Sequence, residues 1–167
     1  IKEASGNIGQ ISRIIEETQD DDFLVISGDD NITLPIMALG GAGVISVAAN
    51  VDPKRMVAMY EAMKKGDYQK ALVLHYALSP LMRSMFIDTN PIPVKKAVEL
   101  LGMAGGPVRL PLDDLDDKKT EQLKKILATI PNKVKKTTPD VPKKPIKKII
   151  VKTKTPHKKR SGELNHD

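Results

Sequence analysis

The first 52 residues alternate between two spacings of apolar positions. Ile1-Lys2 is the stub of a strand. After Gly6-Asn7 the isoleucines at 8, 11, 14 and 15 recur at three and four residues, which predicts a helix with one apolar face, ending in the polar turn Asp20-Asp21-Asp22. Phe23-Leu24-Val25-Ile26 is an unbroken apolar run, the pattern of a parallel strand covered on both faces. Asn31 is the expected cap of a short helix over residues 32–39. Gly40-Gly41 ends it ahead of a third strand over residues 43–47. Beyond this only the helical period persists. Pro53 suits a first helical turn after an Asp52 cap, with Met56, Val57, Tyr60 and Met63 as its stripe. A second helix runs from about Asp67 through Met85, with Pro80 expected to bend it. A third starts at Asn90-Pro91-Ile92-Pro93, and a fourth covers residues 114–130.

The order βαβαβ followed by four helices predicts an α/β architecture with right-handed crossovers. Its strand ends, at Lys2, at Ser27-Gly28 and after Gly43, look like one wall of a parallel barrel whose active face lies at the strand C-termini. Three parallel strands do not close a barrel, and both outer edges stay unpaired. The core is therefore expected to be incomplete, and the chain to be the C-terminal part of something longer.

Charge divides the chain unevenly. Residues 131–167 carry 12 of the 27 basic and 3 of the 21 acidic side chains, leaving 15 and 18 for residues 1–130. The overall +6 thus describes a Lys/Pro-rich tail and gives no reason for the body to meet nucleic acid. That tail is expected to be disordered, with Ile146–Val151 as one β-prone island. It either binds nucleic acid or an anionic surface without reading sequence, or is a solvated extension with no specific partner. With no cysteine, neither disulfides nor a thiolate metal site is available. His75, His157 and His166 are too scattered for a zinc site, and no apolar run is long enough to cross a bilayer, so the body reads as cytoplasmic.

Lys2 is the residue with the most chemistry at stake. It is either a strand-end charge in solvent or an amine held in a pocket for covalent work, and the two further strand ends favour the second reading. Asp29 and Asp30 read as caps and turn formers, and Glu3 as a partner for a nearby charge. Gly40-Gly41-Ala42-Gly43 precedes a strand instead of following one, the wrong order for a phosphate loop. His75 is read as a packed or hydrogen-bonded helix residue. Met56, Met59, Met63, Met82 and Met85 are read as core filler at helical spacing.

Ile1-Lys2-Glu3-Ala4-Ser5-Gly6-Asn7, Ser27-Gly28-Asp29-Asp30, the run from Gly40 to Val51, Asn90-Pro91-Ile92-Pro93-Val94-Lys95 and Arg109-Leu110-Pro111-Leu112 resemble, in order, the dihydrodipicolinate synthase family over residues 1 to about 129. The resemblance implies a partial (β/α)8 TIM barrel: strands six to eight with their helices over residues 1–52, then the final barrel helix and a C-terminal helical domain over 53–130. The tail, 131–167, lies outside the pattern. The implied activity is that of a lyase condensing pyruvate with aspartate semialdehyde in lysine and diaminopimelate synthesis. The implied state of the full-length protein is a homotetramer.

Carried over by position, Lys2 matches the lysine that forms the Schiff base with pyruvate, Gly28 lines the pocket floor, and Ile45 matches the residue whose backbone contacts pyruvate. No metal or organic cofactor is implied, because the protonated imine itself withdraws electrons from the methyl carbon. Only a neutral amine attacks a carbonyl, and burial in an apolar barrel raises the neutral fraction. Gly28, lacking a β-carbon, lets the backbone approach a bound keto acid closely. The family's proton relay, its carboxylate-binding arginine and its lysine feedback site all lie upstream of this chain, and Tyr60, Tyr68 and Tyr76 match no relay position. The expectation is that this polypeptide alone is inactive. N-acetylneuraminate lyase and keto-deoxy sugar acid aldolases share the lysine and the barrel and are the competing substrate classes. A non-catalytic remnant presenting a nucleic-acid-binding tail is the competing class of function.

Overall fold

The computed structural model describes residues 1–130. Residues 131–167, and with them the expectations for the tail, lie outside the described residues. Strands β1 (Lys2–Glu3), β2 (Ile26–Ser27) and β3 (Gly43–Val44) alternate with helices α1 (Ile8–Glu17) and α2 (Thr33–Ala38). Helices α3 (Pro53–Lys64), α4 (Tyr68–Ser84), α5 (Ile92–Leu100) and α6 (Asp117–Ala128) follow. All pairings are parallel, in the order β1-β2-β3, with Lys2 opposite Ile26 and Ile26 opposite Gly43. The α/β order is the one the apolar spacing predicts.

The strands are shorter than expected, and their burial alternates. Val25 and Ser27 are buried, whereas Phe23 is 43% and Leu24 62% exposed. The expected strand covered on both faces is thus corrected: among the described residues helices cover one face of β2. Alternate side chains point to opposite faces of a strand, so Glu3, Val25 and Ser27 turn towards the helices while Lys2, Leu24 and Ile26 turn to the open face.

Helix starts follow local chemistry. Asn7 caps α1 by accepting from the Gln10 N–H, Asp52 caps α3 and Asp67 caps α4. The predicted Asn31 cap is wrong: Asp29 accepts from the Asn31 N–H and opens a one-turn 3-10 helix, Asp30–Ile32, and α2 starts only at Thr33. Helix α6 begins at Asp117, after an Asp116 cap, instead of Asp114. Pro80 lies inside α4, which continues to Ser84.

Ile11, Val25 and Ile36 pack α1 and α2 against β2. The main core lies among α3–α6 and the segment after β3, around Met59, Leu78, Met82, Met85 and Leu123, each 0% exposed. Met56 and Met63 are buried as well, so all five methionines are core filler as expected. His75 is packed but not satisfied: its Nδ1 is enclosed without a hydrogen-bond partner, and burial pushes the imidazole below its ordinary value. Lys119 joins α6 to the loop after α4 through Asp88 at 2.7 Å. Among the described residues no helix is long and apolar enough to cross a membrane.

Candidate functional site

The ladder places the three candidate residues, Lys2, Gly28 and Ile45, on one face. Gly28 and Ile45 each follow their strand by one residue, two register rows beyond Lys2, which puts them on the same open face as the lysine. Backbone bonds continue past the strands to hold this row: the Gly28 N–H donates to the Glu3 carbonyl at 2.7 Å and the Ile45 N–H to the Ser27 carbonyl at 2.8 Å.

Gly28 and Lys2 are in contact. A β-carbon built on Gly28 would stand 2.8 Å from Lys2 Cε and 2.7 Å from Ala4 Cβ. The lysine side chain therefore runs across the space that the missing side chain leaves. Ile45 is 51% exposed and lines an open apolar groove of about 450 Å³ with Leu24, Ile26, Met56, Val57 and Tyr60. Neither Lys2 nor Gly28 lines that groove, which lies beside β3, the outer strand of the sheet among the described residues.

The expected shielding of Lys2 is corrected: the residue is exposed. The cause is the three-stranded sheet, whose open face has no strand or helix laid across it among the described residues.

Behind this face the structure is tightly bonded. Glu3, 8% exposed, accepts from the Ser5 N–H at 2.6 Å and from Gln10 Nε2 at 3.0 Å, not from a cation as expected. The Ser5 backbone bond in particular holds its carboxyl below the usual carboxylate range. Ser27 and Thr33 are both 0% exposed, and each donates to the Asp29 carbonyl. Asp30, 1% exposed, reaches across to the segment after β3 and accepts from the Val47 and Ala48 N–H groups at 3.1 and 2.8 Å. Both aspartates thus act as turn and loop formers. The reach of Asp30 over 17 residues was not visible in the sequence, where an Asp-Asp pair after a strand signals only a local turn.

The dihydrodipicolinate synthetase family model matches residues 1–130. The chain belongs to that family. It is 77% identical over 127 residues to the 4-hydroxy-tetrahydrodipicolinate synthase of Methanoculleus marisnigri, covering 76% of this chain and 44% of the relative. The crystal structure of the family's Aquifex aeolicus member superposes with a TM-score of 0.73 at 43% identity, over 76% of this chain and 43% of that one. That of the chloride-inhibited Acinetobacter baumannii synthase complexed with pyruvate gives 0.73 at 34% identity, over 77% and 44%. The chain thus spans less than half the length of these family members.

Proposed function

We propose that this chain supplies the Schiff-base half of a 4-hydroxy-tetrahydrodipicolinate synthase site. The observation that carries the reading is the 77% identity to a relative of that name, with Lys2 and Gly28 in contact and Ile45 on their face. In this reading residues 1–52 are strands six to eight of a (β/α)8 barrel with their helices, and 53–130 are its last helix and the C-terminal helical domain.

The Lys2 amine adds to the keto carbon of pyruvate, and loss of water leaves an imine. Loss of a proton from the methyl carbon turns this into an enamine, whose carbon attacks the aldehyde of aspartate semialdehyde. The substrate's own amine then closes the ring onto the former keto carbon and releases Lys2. Gly28 leaves room for the keto acid beside the lysine, and the backbone at Ile45 contacts it. The relatives' names support this condensation over the sugar-acid aldolase chemistries. Cover over the open face, required to keep the amine neutral and water out, comes in this reading from the part of the barrel the chain does not span.

The test is a chimera. Residues 1–130 are joined behind the N-terminal portion of the Methanoculleus marisnigri relative that the match leaves uncovered, and supplied with pyruvate and aspartate semialdehyde. Cyclised product is expected, abolished by Lys2→Arg, while the 167-residue chain alone gives no turnover. A folded chimera that consumes neither substrate contradicts the reading.

A further inference from the structure

Between the two loops that carry Gly28 and Ile45 stands a single carboxylate. Asp30 follows Gly28 by two residues, and Val47, whose N–H it accepts, follows Ile45 by two. The side chain is 1% exposed; Oδ2 takes the Val47 and Ala48 N–H groups, and Oδ1 is equally enclosed with no hydrogen-bond partner. Placing a carboxylate out of water with half of its acceptor capacity unused is costly. A local turn does not require it. Val47 gives the 3-10 helix Ala48–Asn50 no side-chain cap; Ser46 Oγ accepts from the Ala49 N–H, and Asp30, from another strand's loop, takes the Val47 and Ala48 N–H groups. Without it, residues 45–48 are held to β2 by one backbone bond, from the Ile45 N–H to the Ser27 carbonyl.

We infer that Asp30 is a positioning residue for the keto acid: it ties the segment after β3 to the end of β2 and so fixes Ile45 opposite Lys2 and Gly28. The inference rests on the function proposed above. Asp30 touches no reacting atom and acts through the Ile45 backbone. Loss of the tie weakens capture of pyruvate and leaves the amine's own reactivity as it was, because Lys2 lies in β1 and Gly28 is held to β1 by its own bond to the Glu3 carbonyl.

The test uses the chimera described above with pyruvate and borohydride, which reduces the imine and fixes it as added mass. Half-maximal pyruvate concentration and saturating rate of labelling at Lys2 are read for wild type, Asp30→Ala and Asp30→Asn. Amide exchange at Val47 and Ala48 is followed alongside. Asp30→Ala is expected to raise the half-maximal concentration about tenfold, with the saturating rate within about twofold of wild type. Asp30→Asn, whose amide oxygen accepts the same two N–H groups, restores it to within about threefold. A folded Asp30→Ala that titrates like wild type overturns the inference and leaves the Lys2 assignment standing. Wild type that gains no mass at Lys2 overturns both. Should Asp30→Ala fail to fold, Asp30→Asn decides: near-wild-type titration with slow Val47 and Ala48 exchange supports the tie, and a tenfold loss with slow exchange intact overturns it.

Discussion

Gly28→Ala is the sharpest single perturbation of the site. The added methyl carbon would stand 2.7 Å from Ala4 Cβ, 2.8 Å from Lys2 Cε and 3.1 Å from Lys2 Cγ. Unstrained carbon pairs sit about 3.5–4.0 Å apart, so the overlap is roughly 0.4–1.3 Å. The two neighbours respond differently. Lys2 is exposed and flexible, and swings aside at small energetic cost. Ala4 Cβ is fixed to a backbone that Gly28 itself holds through its N–H bond to the Glu3 carbonyl. Overpacking of this kind costs about 1–3 kcal/mol. Gly28 is not among the glycines with positive φ, so alanine adopts its backbone conformation and recovers about 0.4–1 kcal/mol through the unfolded chain. A net loss of about 0.5–2 kcal/mol remains, to be read as a lower urea midpoint at unchanged slope. Displacement of the lysine is the larger consequence: pyruvate labelling of Lys2 should fall by about tenfold or more. A Gly28→Ala protein with wild-type stability and wild-type labelling refutes the claim that the lysine occupies the space above this glycine.

Three further outcomes follow from the packing. Leu123→Ala deletes a side chain that is 0% exposed in the main core, and urea unfolding should show a loss of about 2–5 kcal/mol. Burial depresses the His75 imidazole, so the native state favours its neutral form; the associated stability is complete above the ordinary value of 6.5 and is lost as pH falls through the depressed native one. His75→Leu should therefore flatten the fall in thermal midpoint between pH 7.5 and pH 5. Glu3 titrates low because the Ser5 N–H favours its charged form, so its contribution is present above the ordinary 4.5 and lost as pH drops through the lowered value. The thermal midpoints of wild type and Glu3→Gln, separated at pH 7, should converge towards pH 3.

Much of the architecture was legible because it is local. Isoleucines at helical spacing, the Asp52-Pro53 start and the methionine stripe each state their own element and face. What was misread depends on neighbours. Phe23-Leu24-Val25-Ile26 announces a buried strand, but whether both faces are covered depends on what lies across the sheet, and here one face is open. Glu3 was paired in expectation with a charge because acidic residues commonly are; its partners are instead an N–H two residues on and a glutamine seven residues on. Lys2 was legible as a residue type at a strand end, and its exposure was not, since burial is set by cover that residue spacing does not report. Asp30 marks the limit most clearly, because a turn former and a long-range tie look identical in a Gly-Asp-Asp motif.

The account depends on the amine of Lys2 capturing pyruvate ahead of every other lysine in the chain. Incubation of the chimera, in which the open face is covered, with pyruvate and borohydride, followed by proteolysis and mass mapping, reads this residue by residue. The expected result is a lactyl-sized mass increment concentrated on the peptide that carries Lys2 and abolished by Lys2→Arg. An increment spread evenly over the exposed lysines, or absent from Lys2, contradicts the account.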